Sequence, residues 1–65
     1  METYCRGEAA GKFGTRPQYV HLNDVHPKND KYIAKGTADL GRDGQRSFKC
    51  VFDQQGNFLR LKVTN

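Results

Sequence analysis

Phe48-Lys49-Cys50-Val51-Phe52 alternates strictly, placing Phe48, Cys50 and Phe52 on one side of an extended chain and Lys49 and Val51 on the other. The segment predicts a β-strand from about Gln45 to Phe52 whose inner side carries one of the two cysteines. Its borders are turn chemistry: Gly41-Arg42-Asp43-Gly44 before it, with a hairpin-forming Asp-Gly pair, and Asp53-Gln54-Gln55-Gly56 after it, closed by a glycine suited to the left-handed region. Beyond the second turn, Phe58 to Val63 reads as a last strand with Leu59, Leu61 and Val63 inward and Phe58, Arg60 and Lys62 outward.

Upstream, Tyr32 to Leu40 alternates with an inner set of Tyr32, Ala34, Gly36, Ala38 and Leu40. The small middle of that set leaves room for a helix over the sheet. Gln18 to Val25 predicts the first strand, with Val20 and Leu22 on one face and Tyr19, His21 and Asn23 on the other. His26-Pro27-Lys28-Asn29-Asp30 reads as the loop between them, because proline cannot donate to a ladder and Asn and Asp bond back to local backbone. Residues 3–13 predict a short helix with Thr3 as N-cap, Cys5, Ala9 and Phe13 at i, i+4 and i+8, Gly14 at its C-terminal cap and Pro17 preventing continuation. Gly7 and Gly11 read as sites of close backbone approach. The fold class is therefore α+β: one N-terminal helix packed on a four-stranded antiparallel meander, in a single domain over residues 1–65.

A chain of 65 residues buries only about 60% of its unfolded surface, so a staple, metal or partner is expected. The helix cysteine and the strand cysteine both face the core. The favoured reading is a Cys5–Cys50 disulfide, which encloses roughly 46 residues and is worth on the order of 4 kcal/mol in the chain-entropy model. The alternatives are two buried free thiols, a catalytic thiol, or a zinc site drawn from Cys5, His21, His26 and Cys50, for which no paired ligand spacing exists. A disulfide suits the periplasm or the extracellular space. Met1-Glu2-Thr3-Tyr4 lacks the basic start and apolar middle of a signal peptide, so either the chain is cytoplasmic or Met1 stands in place of a removed export segment.

Cys5-Arg6-Gly7-Glu8-Ala9, Phe13-Gly14, Pro17, Tyr32, Gly36 and the run Phe48-x-Cys50-x-Phe52-Asp53-x-x-Gly56-x-Phe58 together resemble small uncharacterised exported domains of Gram-negative bacteria. The resemblance implies a bridge between a helix cysteine and a strand cysteine formed after export, and no activity.

Eleven Lys and Arg against seven Asp and Glu give a net charge of +4, which favours anionic partners. The outer sheet face carries Tyr19, His21, Ile33, Lys35, Thr37, Ser47, Lys49, Val51, Phe58, Arg60 and Lys62. Of these, Tyr19, His21, Lys35, Lys49, Phe58, Arg60 and Lys62 are the candidate binding residues, as a basic and aromatic platform for single-stranded nucleic acid. Ile33, Val51, Phe58 and Tyr19 equally form a patch for a protein partner or a second copy. No paired carboxylates, nucleophile with a base, or metal cluster converges, so the sequence predicts no enzyme, no cofactor and no metal. It contains no run of about 18 apolar residues to span a bilayer. Three readings remain: an exported, disulfide-stapled interaction module, a single-stranded nucleic-acid-binding domain, and an inhibitor or accessory subunit of an exported enzyme.

Overall fold

A computed structural model describes residues 1–64. Helix α1 (Glu2–Phe13) is followed by a 3-10 turn (Pro17–Tyr19) and four strands, β1 (Val20–Lys28), β2 (Lys31–Asp39), β3 (Gln45–Phe52) and β4 (Phe58–Val63). A second 3-10 turn (Gly41–Asp43) joins β2 to β3. The strands pair antiparallel in sequence order, β1-β2-β3-β4, so the sheet is an open meander and α1 covers one face of it.

The helix buries the stripe expected of it: Cys5, Ala9 and Ala10 are buried and Phe13 packs at their end. Gly14 terminates it at φ 67°, and the Ala10 carbonyl accepts from both the Gly14 and Thr15 backbone N–H groups. The helix begins one residue earlier than predicted, with Met1 at the N-cap and no side-chain cap, so Thr3 lies inside the first turn. Gly7 and Gly11 do not mark close approach, since a Cβ at either would meet open space.

Facing the helix, Val20, Ala34, Ala38, Phe48, Cys50 and Phe52 complete the buried cluster. Cys5 and Cys50 form the disulfide across it, with Cα atoms 5.9 Å apart, inside the range such a bridge needs. Ala34 pairs with Cys50, so the residue beside the bridge is small and the helix can sit close. Gly36 has a different partner from the one expected. A Cβ there would collide with the His21 carbonyl oxygen and lie 2.9 Å from Phe48 Cζ and 3.0 Å from Leu22 Cδ2. The glycine makes room for the Phe48 ring and the β1 backbone.

Three boundaries depart from the sequence reading. Strand β1 runs on through His26-Pro27-Lys28, and the β1–β2 turn contracts to Asn29-Asp30, with Asn29 at φ 57°. Pro27 is tolerated because β1 is an edge strand, where its missing donor faces no neighbour. The β2–β3 connection closes through Leu40 and Gly44, whose backbone N–H and carbonyl bond at 2.8 Å around a 3-10 turn, instead of a two-residue hairpin on Asp43-Gly44.

The third departure is a pair of register shifts. One falls between Leu22 and Asp24, leaving Asn23 as the extra residue in β1. The other leaves Leu59 extra in β4, between Phe58, opposite Phe52, and Arg60, opposite Val51. Each bulge flips the inside–outside alternation beyond it. Phe58 therefore points to the core side, 5.7 Å from the Phe52 ring and 5.2 Å from the Tyr4 ring by centroids, and Leu59 is 43% exposed.

Candidate functional site

The face of the sheet away from α1 is built by cross-strand rows fixed by the register. His21, Thr37 and Ser47 form one row. Asp24, Lys35, Lys49 and Lys62 form the next, and His26, Ile33, Val51 and Arg60 the third. Lys28 and Lys31 close the series beside the β1–β2 turn. These positions share a face because both bulges lie in the edge strands β1 and β4, so β2 and β3 alternate without interruption and the edge-strand residues are placed by their register partners.

Six cations stand on this face: Lys28, Lys31, Lys35, Lys49, Arg60 and Lys62. Two carboxylates share it, Asp24 and, at the end of β2, Asp39. Asp24 Oδ2 is held 2.7 Å from His26 Nδ1, and Asp39 Oδ1 accepts the Gly41 backbone N–H at 2.9 Å. Of the chain's eleven cations and seven carboxylates, five of each remain for the rest of the molecule. The whole excess of +4 therefore resides on one side of the sheet. Among the described residues none of the six cations is in an ion pair.

Their pairing is unfavourable on its own terms. Lys28 is directly opposite Lys31, Lys35 opposite Lys49, and Lys49 opposite Lys62. Like charges directly opposite in an antiparallel pair destabilise it, by a few tenths of a kcal/mol to about 1 kcal/mol each. Three such pairs on one face are a cost to the fold, and the only carboxylate directly opposite one of these lysines is Asp24, which faces Lys35 across β1 and β2.

The floor of this face is apolar. Ile33 is 7% exposed and Val51 is 3% exposed, although no second layer of secondary structure covers them. They line a groove with Lys28, Asn29, Lys31, Lys49, Arg60 and Lys62, and long Lys and Arg side chains lay their stems along such apolar surface while keeping their charged ends in water. The groove encloses about 230 Å³.

The expected binding residues divide accordingly. His21, Lys35, Lys49, Arg60 and Lys62 are brought together on the face. Phe58 is not, because the Leu59 bulge turns it to the core. Tyr19 is not either: it lies in the 3-10 turn before β1 and lines a separate cleft with Phe13, Gly14 and Leu40. The exposed apolar patch expected of Ile33, Val51, Phe58 and Tyr19 dissolves for the same reasons. Lys28 and Lys31 are additions; Lys28 fell in the expected loop and Lys31 between that loop and the expected strand, and only the two-residue turn between β1 and β2 puts them opposite each other.

Elsewhere the polar groups are engaged in turns. Asp53 Oδ1 accepts the backbone N–H of Gln55 at 3.0 Å and of Asn57 at 2.8 Å, and its Oδ2 accepts from Asn57 Nδ2 at 3.1 Å. The Asn57 backbone bond, foremost among these, holds the Asp53 carboxyl below the usual carboxylate range. Both cysteines are consumed by the disulfide, so the zinc set drawn from them and the two histidines is not available.

A family model described as YsaB-like lipoprotein matches residues 1–64. The chain belongs to the YsaB-like lipoprotein family. No curated protein and no solved structure matches it. The family and the disulfide both fit an exported, non-cytoplasmic protein. Among the described residues no helix is long and apolar enough to cross a membrane.

Proposed function

We propose that this chain is a periplasmic interaction module, not an enzyme, that binds an anionic partner through the outer face of its sheet. The observation that carries the reading is the three like-charge pairs, Lys28 with Lys31, Lys35 with Lys49 and Lys49 with Lys62. Rules of local stability are broken in natural proteins mostly where function asks for it. An anion seated among these lysines converts mutual repulsion into shared attraction, so the face is more stable with its partner than without it. The disulfide supports the same reading from the other side of the sheet. It fixes α1 over β3 and leaves the outer face of the same strands free to carry chemistry that does not favour folding.

The lipoprotein family supports an exported location for the module. With both cysteines bridged, neither Cys5 nor Cys50 can carry a thioether-linked lipid while the disulfide is intact, so an anchor belongs outside these two positions. The loss of Phe58 and Tyr19 from the face removes the aromatic side chains on which bases would stack, which favours anion binding over readout of single-stranded nucleic acid.

A two-dimensional NMR titration at low salt tests the reading with inositol hexakisphosphate as a soluble polyanion. Shifts at the Lys35, Lys49, Arg60 and Lys62 amides are expected, with Arg6 and Lys12 on the helix unmoved. No shift on the outer face would remove the proposal.

A further inference from the structure

Resting on that reading, we infer that the partner of the outer sheet face is the surface of an anionic bilayer, on which the domain lies with β1–β4 flat against the lipid headgroups and α1 facing away. Three features point to an extended surface. The six cations are spread over all four strands in neighbouring rows, five of them along the rim of one groove and Lys35 beside it, so the positive charge extends across the width of the sheet. Adjacent strands are about 4.8 Å apart, so Lys35, Lys49 and Lys62 span roughly 10 Å across the sheet, more than one phosphate can bridge. The groove between them has an apolar floor, Ile33 and Val51, that is itself nearly inaccessible, which leaves the charged ends of the surrounding Lys and Arg side chains as the first groups an approaching surface meets.

The charge distribution orients the domain. With the whole excess of +4 on this face and equal numbers of cations and carboxylates elsewhere, the molecule carries a charge dipole normal to the sheet, which turns this side toward a negative surface. A lipid anchor of the kind the family name describes would hold the domain at such a surface permanently. The tether raises the effective concentration of headgroups around the face, so contacts too weak to capture a free protein suffice to seat a tethered one. Each Lys or Arg near an anionic membrane contributes about fivefold to binding, and neutralising three of them is expected to weaken binding by about a hundredfold.

Sedimentation of the 65-residue chain with large unilamellar vesicles tests this. Vesicles with about a third phosphatidylglycerol in phosphatidylcholine are expected to bind it at low salt and to release it at about 0.5 M salt, while pure phosphatidylcholine does not bind. The triple variant Lys35→Gln, Lys49→Gln, Lys62→Gln should lose about a hundredfold in partitioning, while Arg6→Gln, Lys12→Gln, Arg16→Gln, which removes the same charge from the other side, should retain most of it. Equal loss in both variants would overturn the inference, as would equal binding to phosphatidylcholine. Tighter binding to a single-stranded oligonucleotide at matched phosphate concentration would also overturn it, in favour of nucleic acid. If inositol hexakisphosphate moves the face amides but phosphatidylglycerol vesicles do not bind, the membrane inference fails and the anion-binding reading stands; if neither binds, both fail.

Discussion

Breaking the Cys5–Cys50 bridge is the perturbation whose size the structure sets most directly. The bridge closes a loop with a sequence separation of 45 residues, for which the chain-entropy model gives about 4 kcal/mol at room temperature. A single small core supplies about 3–5 kcal/mol, so the bridge and the core are of comparable weight. At about 4–8 °C per kcal/mol for a domain of this size, reduction should lower the melting temperature by about 15–30 °C. The loss should begin at α1. Its buried residues besides Cys5 are two alanines, Ala9 and Ala10, which remove little apolar surface from water, whereas β3 keeps its ladders to β2 and β4. Circular dichroism melts with and without reductant measure the stability, and amide exchange in the reduced protein gives the order of opening. The variant Cys5→Ala, Cys50→Ala repeats the test without reductant. A fall of less than about 5 °C, or loss of protection in β3 before α1, would refute the account of the bridge as the main clamp on the helix.

Glycine substitutions should split by sign. Gly36→Ala meets the His21 backbone and the Phe48 ring and should cost about 1–3 kcal/mol by overpacking, whereas Gly7→Ala and Gly11→Ala project into open space on a helix and should each add about 0.5–1 kcal/mol in chemical denaturation. Phe58→Ala should destabilise by about 2–3 kcal/mol through lost packing on Phe52 and Tyr4, while Leu59→Ala at the exposed bulge stays within about 0.5 kcal/mol; the opposite ranking would restore unbroken alternation in β4. For Asp53 the folded-state pKa lies below the ordinary value of 3.8, so its charged form stabilises the β3–β4 turn above that pH and the contribution disappears as pH falls through the folded pKa. Asp53→Asn should therefore be less stable than the parent near neutrality, with the gap narrowing as pH falls below the ordinary carboxylate value in thermal melts.

The fold was readable because its signals were local and agreed with one another. Gly14 and Pro17 ended the helix, the glycine-bearing connections framed β3, and Phe48, Cys50 and Phe52 alternated without interruption. The bounds of β3 and β4 follow the alternation to the residue. The site was readable only in part. Alternation places a side chain correctly only while the register is unbroken, and the extra residues Asn23 and Leu59 carry no local mark in composition. Phe58 was the available clue: a large aromatic assigned outward, next to Arg60 and Lys62, is better accounted for by one inserted residue than by an exposed ring. Pro27 concealed Lys28 and Lys31 in the same way, because a proline that reads as a loop is equally at home on an edge strand. The like-charge pairs were beyond sequence reasoning altogether, since they exist only once the strands are in register.

Lys49 tests the central claim, that β3 divides into a side that builds the core and a side that binds. It is the shared member of two like-charge pairs and its neighbours Phe48 and Cys50 point the other way. Lys49→Gln should weaken binding of inositol hexakisphosphate by about fivefold in calorimetric titration at low salt, while the melting temperature of the free protein rises or holds, because two repulsions are removed. Unchanged affinity, or a loss of affinity that simply tracks a loss of stability, would contradict it.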